Sequence, residues 1–251
     1  MDIAPPYAYK NIVPLSKSHR VLLPDARLVP DAFHALNPIP VSFTEFVPAS
    51  RNYPLVFISG DEGKSFVAMA VVGLERDRNL FVLWDKTWDR RSYVPAYVRR
   101  YPFCMTRITM DGKEQSERVV CVENGALGDA GDLLFDETGN ATPAWEKVQK
   151  FVFEYETDLA RTEQMCRQLA DFGLLEPFTL QAQPTQGEPF ALTGMYRVAE
   201  AKVAELSPET MHTLVRNGVL ARIHLHLASL DNFQALLDRR AAFLRRGSGA
   251  N

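Results

Sequence analysis

Two arginines and two tyrosines stand close together between two prolines, and these residue types suit the recognition of an anion. In residues 95–102 (PAYVRRYP), Tyr97 and Tyr101 lie on either side of Arg99 and Arg100. A guanidinium group presents paired N–H donors that match the two oxygens of a carboxylate. The pattern therefore predicts that Arg100, with Tyr97 and Tyr101, forms a face that recognises an anion or a carboxylate.

The two prolines limit the element that positions these side chains. Pro95 suits the start of a helix, and Pro102 must end it because the residue before a proline is displaced from the α region. Roughly two turns of helix fit between them, and the adjacent Arg99 and Arg100 then point about 100° apart. These two arginines would not easily bind one small ligand together.

A structural interpretation is open for the same residues. Both arginines could form ion pairs with acids such as Glu45 or Glu75 while the tyrosines pack, because structural ion-pair networks resemble binding sites. Glu45 and His19 could also supply an acid and a base if the fold brings them together. A capping histidine and an ion-paired or surface glutamate are the alternative.

Two histidines near the carboxyl end resemble a pair of metal ligands. Arg222, His224 and His226 alternate with apolar residues, which is the two-residue period of a strand. A metal site needs at least a third ligand, and no cysteine pair or glutamate at a suitable spacing accompanies them. We therefore predict a solvated or hydrogen-bonded strand face without a metal.

Other motifs that could hold a cofactor or catalyse a reaction fail on spacing. Residues 60–65 (GDEGKS) resemble the end of a phosphate-binding loop, but Ile58 stands where the first glycine of that loop should be. A strand pattern follows instead of a helix, so a hairpin turn is predicted. The serine elbow G-x-S-x-G is missing, and no cofactor is expected.

Composition restricts the classes of function. The chain has 251 residues, 46% of them hydrophobic, and can bury a large core. Its formal charge of −3 does not indicate the basic surface that binding to nucleic acid requires. The longest apolar run, residues 66–74, is too short to span a membrane. The amino terminus does not resemble a secretory signal, and Cys104, Cys121 and Cys166 suit buried thiols. We therefore expect a cytoplasmic protein.

Strand signals crowd the first half of the chain. Apolar runs separated by Gly, Pro and Asp-Gly turns predict strands at 53–59, 66–74, 80–84, 103–109 and 118–122. The turn signal Asp111-Gly112 joins the last two.

Helix signals dominate the second half. Caps and stops predict three helices, from Thr142-Pro143 to Gly173 with a bend or break near Thr157-Asp158, from Ser207-Pro208 to Asn217-Gly218, and from Ser229 to about Arg246. We therefore predict an α+β fold, with a mostly antiparallel sheet from the first half and helices packed on it from the second half. No linker or repeat divides the chain, so a single domain over residues 1–251 is expected.

One segment resembles a known family. Residues 88–103 (WDRRSYVPAYVRRYPF) are similar to the signature of the SapC-like family of bacterial proteins, and further similar strings include residues 41–57 and 192–198. The family is named for bacterial surface-layer loci, so the resemblance implies a surface-layer association and adds Trp88 to the candidate ligand-binding residues. It implies no particular reaction. A peptide-transport permease shares the name, but that protein requires membrane spans.

Two classes of function compete. The preferred hypothesis is a non-enzymatic binding or accessory protein that acts on a peptide, protein or small-molecule partner in cell-surface or uptake functions, because catalytic and cofactor motifs are missing. The alternative is an enzyme of unrecognised class that acts on a peptide or a small carboxylate-bearing molecule. A deep pocket with convergent titratable groups would favour the enzyme, and a shallow aromatic groove would favour binding. A structural role in a surface lattice would need an export signal.

Overall fold

The protein has the predicted α+β architecture, with antiparallel sheets and helices packed on them. The computed structural model describes residues 3–25, 28–75, 77–110, 113–183 and 188–248, so the predicted turn residues Asp111 and Gly112 lie outside the described residues. The strands are β1 (Ile12–Pro14), β2 (Arg20–Val21), β3 (Ile39–Pro40), β4 (Leu55–Ile58), β5 (Val67–Ala70), β6 (Phe103–Met110), β7 (Lys113–Glu123), β8 (Asp132–Leu133), β9 (Leu175–Ala182) and β10 (Phe190–Val198). The helices are α1 (Phe46–Ala49), α2 (Ala96–Arg99), α3 (Pro143–Asp171), α4 (Glu200–Ala204), α5 (Pro208–Arg216), α6 (Val219–Ser229) and α7 (Asn232–Ser248).

Two main sheets organise the described part of the chain. The larger sheet has the order β3-β5-β4-β10-β9, and the smaller one has the order β1-β7-β6, with every pair antiparallel. The hairpin predicted around residues 60–65 is confirmed, because β4 pairs with β5 on either side of it. The apolar core that packs between these elements takes residues from Tyr9 to Leu236.

The predicted strand at residues 80–84 is wrong. This segment bends back on itself, with the Leu83 N–H donating to the Thr87 carbonyl and the Lys86 N–H donating to the Leu83 carbonyl. Its contact with residue 88 is a single isolated bridge from Val82. The backbone groups bond across this tight turn, so they are not available to extend a sheet.

Helix α3 begins and ends where the sequence predicts and is not broken. The Thr142 hydroxyl accepts from the Trp145 N–H at the start, and Gly173 has a φ of 63° just past the end. The sequence predicts a bend or a break near Thr157-Asp158, and no break occurs, because the helix is continuous over 29 residues. The Thr157 hydroxyl bonds back to the Phe153 carbonyl within the helix, and Asp158 bonds to Thr44 instead of competing for its own backbone.

The second half of the chain also supplies two strands that the sequence interpretation missed. Strands β9 and β10 form a hairpin that adds to the larger sheet through β4. The register shifts between Leu192 and Met195, where Gly194 has a φ of 80°. This bulge breaks the two-residue alternation that identifies a strand.

The histidine segment is helical, so the predicted strand there is wrong. His224 and His226 lie within α6, and residues two apart on a helix point about 200° apart. His224 is exposed, whereas His226 is fully buried. The ring of His226 bridges two strands, since Nδ1 bonds to the Leu55 carbonyl at 2.8 Å and Nε2 accepts from the Val198 N–H at 3.0 Å.

The sequence predicts Ser229 as the cap of the last helix, and this prediction is wrong. Ser229 is the final residue of α6. Its hydroxyl donates to the His226 carbonyl and accepts from the Leu55 N–H. These bonds to α6 and β4 hold Ser229 in α6, whereas the sequence predicts it at the start of the following helix. Helix α7 then begins at Asn232.

The three cysteines are buried free thiols, as predicted. Cys104 and Cys121 lie opposite each other on β6 and β7. No helix in the described ranges is both long enough and apolar enough to cross a membrane.

We predict that His226→Leu lowers the free energy of unfolding by about 2–4 kcal/mol at pH 7, because two buried backbone groups lose their partner. Burial lowers the pKa of His226 to about 4. Its stabilising effect is therefore present above the ordinary pKa near 6.5 and is lost as the pH falls towards 4. Urea unfolding should show the gap between wild type and variant shrinking by roughly 2 kcal/mol from pH 7 to pH 5.

His224→Leu is the matched control, since the same substitution falls on the exposed side of the same helix. It should leave both the stability and its pH dependence unchanged. A gap between wild type and His226→Leu that stays constant with pH would contradict a buried neutral imidazole.

Candidate ligand-binding site

Helix α2 is held at its first residue by a buried carboxylate. Glu45 Oε1 accepts from the Ala96 N–H at 2.6 Å and from the Tyr93 hydroxyl at 3.0 Å. Its Oε2 accepts from the N–H and the hydroxyl of Ser42. With four hydrogen bonds Glu45 is saturated, so it positions α2 and is not an ion-pair partner of either arginine.

Arg100 follows α2 and is buried, with 3% of its side chain exposed. Its Nη1 donates to Glu156 on α3 at 3.1 Å. The guanidinium carbon lies 4.3 Å from the ring centre of Tyr97, 5.1 Å from that of Tyr155 and 5.5 Å from that of Tyr9. Arg100 therefore makes a buried ion pair inside an aromatic cage, a cation–π arrangement that stabilises its charge.

The acidic partner of Arg100 is a residue that the sequence interpretation did not single out. Glu156 is 8% exposed, and its second oxygen accepts from Arg118 Nη1 on β7. The proposed partners Glu45 and Glu75 are wrong, since Glu75 bonds instead to Arg240. Its spacing could have identified it, because Glu156 lies four residues after the buried Val152. The two side chains therefore lie on the same, buried side of α3.

A cavity of about 470 Å³, here called the α3 cavity, borders this ion pair. Helix α3 forms one side, and the start of β5 and the middle of β6 form the others, so it lies where the two main sheets approach each other. Arg100, Tyr97, Tyr155, Glu156 and Arg118 all line it. Its size falls in the range of small-ligand sites.

Two of the lining side chains have a buried polar atom without a hydrogen-bond partner among the described residues. These atoms are Arg100 Nε and Tyr155 Oη. Trp145 Nε1 has the same property, but Trp145 does not line the α3 cavity. Buried polar groups are bonded in the great majority of cases, so an acceptor from outside the described residues would complete the hydrogen bonding of these two side chains.

Burial raises the pKa values of two tyrosines and one cysteine that line the α3 cavity. Burial raises the pKa of Tyr97 to about 12, against the lowering effect of Arg100, and raises the pKa of Tyr155 well above 10. Burial also raises the pKa of the Cys166 thiol to about 12. These phenols are therefore hydrogen-bond donors at neutral pH, and Cys166 is not a thiolate nucleophile.

The structure separates the other predicted site residues from the α3 cavity. Tyr101 packs against Tyr9 and Phe33. With Trp88 and Arg99 it lines a second cavity of about 370 Å³, whose wall also includes Arg100.

The remaining predicted residues make local contacts. Trp88 Nε1 donates to the Tyr53 hydroxyl at 3.1 Å. Arg99 is exposed and donates to the Val94 carbonyl and the Tyr93 hydroxyl. His19 lies in the turn before β2, where its Nδ1 accepts from the Ser16 N–H. Of the seven candidates, only Arg100 and Tyr97 line the α3 cavity.

Metal binding has no geometric support in the described residues. No three or more His, Cys, Asp or Glu side chains among them are grouped so that they could hold an ion.

The comparison with family models agrees with the signature segment. The model described as SapC matches residues 16–236, which is most of the chain. The chain belongs to the SapC family. The matched range contains α2, Arg100 and Glu156, so the ion pair lies within the family's region. No curated protein and no solved structure matches the chain.

We predict that Glu156→Gln lowers the free energy of unfolding by about 3–5 kcal/mol, because it leaves Arg100 as a buried charge without its counter-charge. Chemical denaturation at pH 7 measures the change. Glu163→Gln is the matched control, since Glu163 lies two turns further along α3, is exposed and is 3.8 Å from Arg118. It should unfold like the wild type. Equal effects of the two substitutions would show that the Arg100 charge is solvated.

Proposed function

We propose that this SapC-family protein is a non-catalytic binding protein whose ligand places a carboxylate in the α3 cavity against Arg100 and Tyr155. The observation that supports this most is the pair of orphaned donors, Arg100 Nε–H and Tyr155 Oη–H, beside one cavity. Hydrogen bonds to a charged acceptor are roughly twice as strong as neutral ones. A carboxylate would satisfy both donors, one with each oxygen.

The charges around the ion pair also favour an anion. Arg100 and Arg118 share the single carboxylate of Glu156. With Arg107 and Glu163, which also line the α3 cavity, three positive side chains face two negative ones. A ligand carboxylate would balance them, whereas a cation would add to the excess.

Binding is favoured over catalysis by the protonation states of the lining groups. Several titratable side chains converge on the α3 cavity, which is the arrangement expected of an enzyme. General acid–base catalysis needs a group whose pKa lies near the working pH. The raised pKa values of Tyr97, Tyr155 and Cys166 argue against that role for these three, and Glu156 is held in ion pairs with two arginines. We therefore infer that the ligand is held and released unchanged.

The setting that we propose is the cytoplasm, in a process connected with the cell surface or with uptake. The free thiols of Cys104, Cys121 and Cys166 support a reducing compartment. The surface-layer association implied by the family name supports the connection with the cell surface. A peptide, a small molecule or the exposed end of another protein could bring the carboxylate.

We predict that Tyr155→Phe separates binding from stability. The hydroxyl that it removes has no partner, so the free energy of unfolding should stay the same or rise by up to about 1 kcal/mol. Affinity for the carboxylate ligand should fall about 10-fold or more, because a hydrogen bond to a charged group is lost. Tyr97→Phe is the contrasting variant, since its hydroxyl donates to the Tyr7 carbonyl, and it should lower stability by about 1 kcal/mol.

The natural ligand can be measured without knowing its identity. Wild type and Tyr155→Phe, each purified without denaturation from the same cells, are extracted and compared by negative-ion mass spectrometry. An acid present in near-stoichiometric amounts in wild type, depleted in the variant and unchanged in mass after incubation supports the proposal. Extracts that lack such an acid, or that contain it in equal amounts from both proteins, would contradict the proposal, and conversion of the acid would indicate an enzyme.

A further inference from the structure

The wall of the α3 cavity includes an open sheet edge. Strand β6 is the last strand of the β1-β7-β6 sheet, with no partner on its outer side among the described strands. Met105, Thr106 and Arg107 all line the cavity. Neighbouring side chains of a strand point to opposite faces. A cavity that touches all three therefore borders the edge of β6 and not only one of its faces.

The hydrogen-bond register shows which backbone groups point outward. The Glu123 N–H donates to the Pro102 carbonyl, and Cys104 lies opposite Cys121. In an antiparallel pair, alternate residues bond to the partner strand. Cys104 and Thr106 therefore bond to β7, while the N–H and C=O of Met105 point away from it.

The β1 side of the sheet gives the same result independently. The carbonyl of Val120, which lies opposite Met105, accepts from the Leu15 N–H next to β1. Val120 thus directs its backbone towards β1 and not towards β6. Among the described residues, none of the backbone hydrogen bonds outside the helices and strand ladders involves Met105.

We propose that the ligand is an extended peptide with a free carboxyl terminus, which adds to the outer edge of β6 and places its terminal carboxylate against Arg100 and Tyr155. This proposal rests on the proposed function and names its ligand class. Strand addition supplies main-chain hydrogen bonds in known peptide complexes, and capture of the terminal carboxylate fixes the register. Here both requirements are met in one cavity, by Met105 and by the orphaned donors.

The position of Arg100 sets the direction of the peptide. Arg100 precedes the first residue of β6 by three positions. A carboxylate held at this end belongs to a peptide that runs from the Thr109 end of β6 towards Phe103. The added strand is therefore antiparallel to β6, and antiparallel pairs form slightly better hydrogen bonds than parallel pairs.

The rest of the lining suits an apolar side chain near the peptide terminus. Val41, Ala68 and Cys166 are buried in the wall, and Phe66 and Leu159 complete it. An apolar terminal side chain would remove this surface from water. Glu163 lines the same cavity and would repel an acidic residue.

The test uses acetylated pentapeptides that end in Leu, Val or Phe, with a free carboxylate or with a carboxamide. Binding to the full-length protein is measured by calorimetry. We expect the free acids to bind at least 10-fold more tightly than the amides. Methylation of the peptide nitrogens should also cost at least 10-fold, because it removes donors to the edge of β6. Tyr155→Phe should weaken the free acids at least 10-fold.

Met105→Pro tests the edge from the protein side. Proline removes the outward N–H, and an edge strand tolerates it where that N–H does not bond to a neighbour. Peptide binding should be lost while Met105→Leu, which keeps the N–H, binds normally. If Met105→Pro does not fold, the methylated peptides still test the same hydrogen bonds.

Decanoate, an acid without a peptide backbone, separates the two proposals. Tyr155-dependent binding of decanoate with no binding of any free-acid peptide would overturn the peptide ligand and leave the carboxylate site standing. Equal affinity for methylated and unmethylated peptides would overturn strand addition. If neither decanoate nor the peptides bind, both the peptide ligand and the carboxylate site are wrong.

Discussion

The buried ion pair between Arg100 and Glu156 is the constraint on which the site depends. A guanidinium group in a protein interior is costly unless it is paired and hydrogen-bonded, so Arg100 ties the end of α2 to α3. Two further contacts complete a ring of polar interactions. Asp158 on α3 accepts from the N–H and hydroxyl of Thr44. Glu45, which follows Thr44 in the chain, accepts from the Ala96 N–H at the start of α2. Helix α2, which has only four residues, is thus fixed at both ends by carboxylates.

This ring leaves the Nε side of the Arg100 guanidinium without an acceptor in the part of the chain that the structure describes. Nη1 is used by Glu156, while Nε is orphaned beside the α3 cavity together with Tyr155 Oη. A buried ion pair is weak evidence for a stabilising role, because an apolar pair of similar size often stabilises a fold as well or better. A role in recognition explains both the charge and the orphaned donors, since an acceptor carried by a ligand would complete the hydrogen bonding. The open edge of β6 along the same cavity is the reason that we propose a peptide as this ligand.

Local signals in the sequence predict local structure well here, and long-range pairing poorly. The caps at Thr142 and Ser207 and the stops at Gly173 and Gly218 stand where predicted, because each depends on the chemistry of one or two residues. The α+β class follows from the same signals. The bulge at Gly194 interrupts the two-residue alternation by which the β9–β10 hairpin could have been predicted. The alternation of polar and apolar residues around His226 belongs to a helix with one buried side and one exposed side.

The candidate site was only partly predictable for the same reason. Arg100 and Tyr97 could be chosen from residue type and spacing, but Glu156 is 56 residues further along the chain and Tyr155 looked like part of an apolar stripe. Only the fold brings them together. The most direct test is the Arg100 Nε–H signal in nuclear magnetic resonance spectra of protein labelled with ¹⁵N-arginine and assigned with Arg100→Lys. Slow exchange with water and a large shift on addition of a free-acid pentapeptide, with exposed Arg99 as the internal reference, are predicted. Rapid exchange and no response to the peptide would contradict the account.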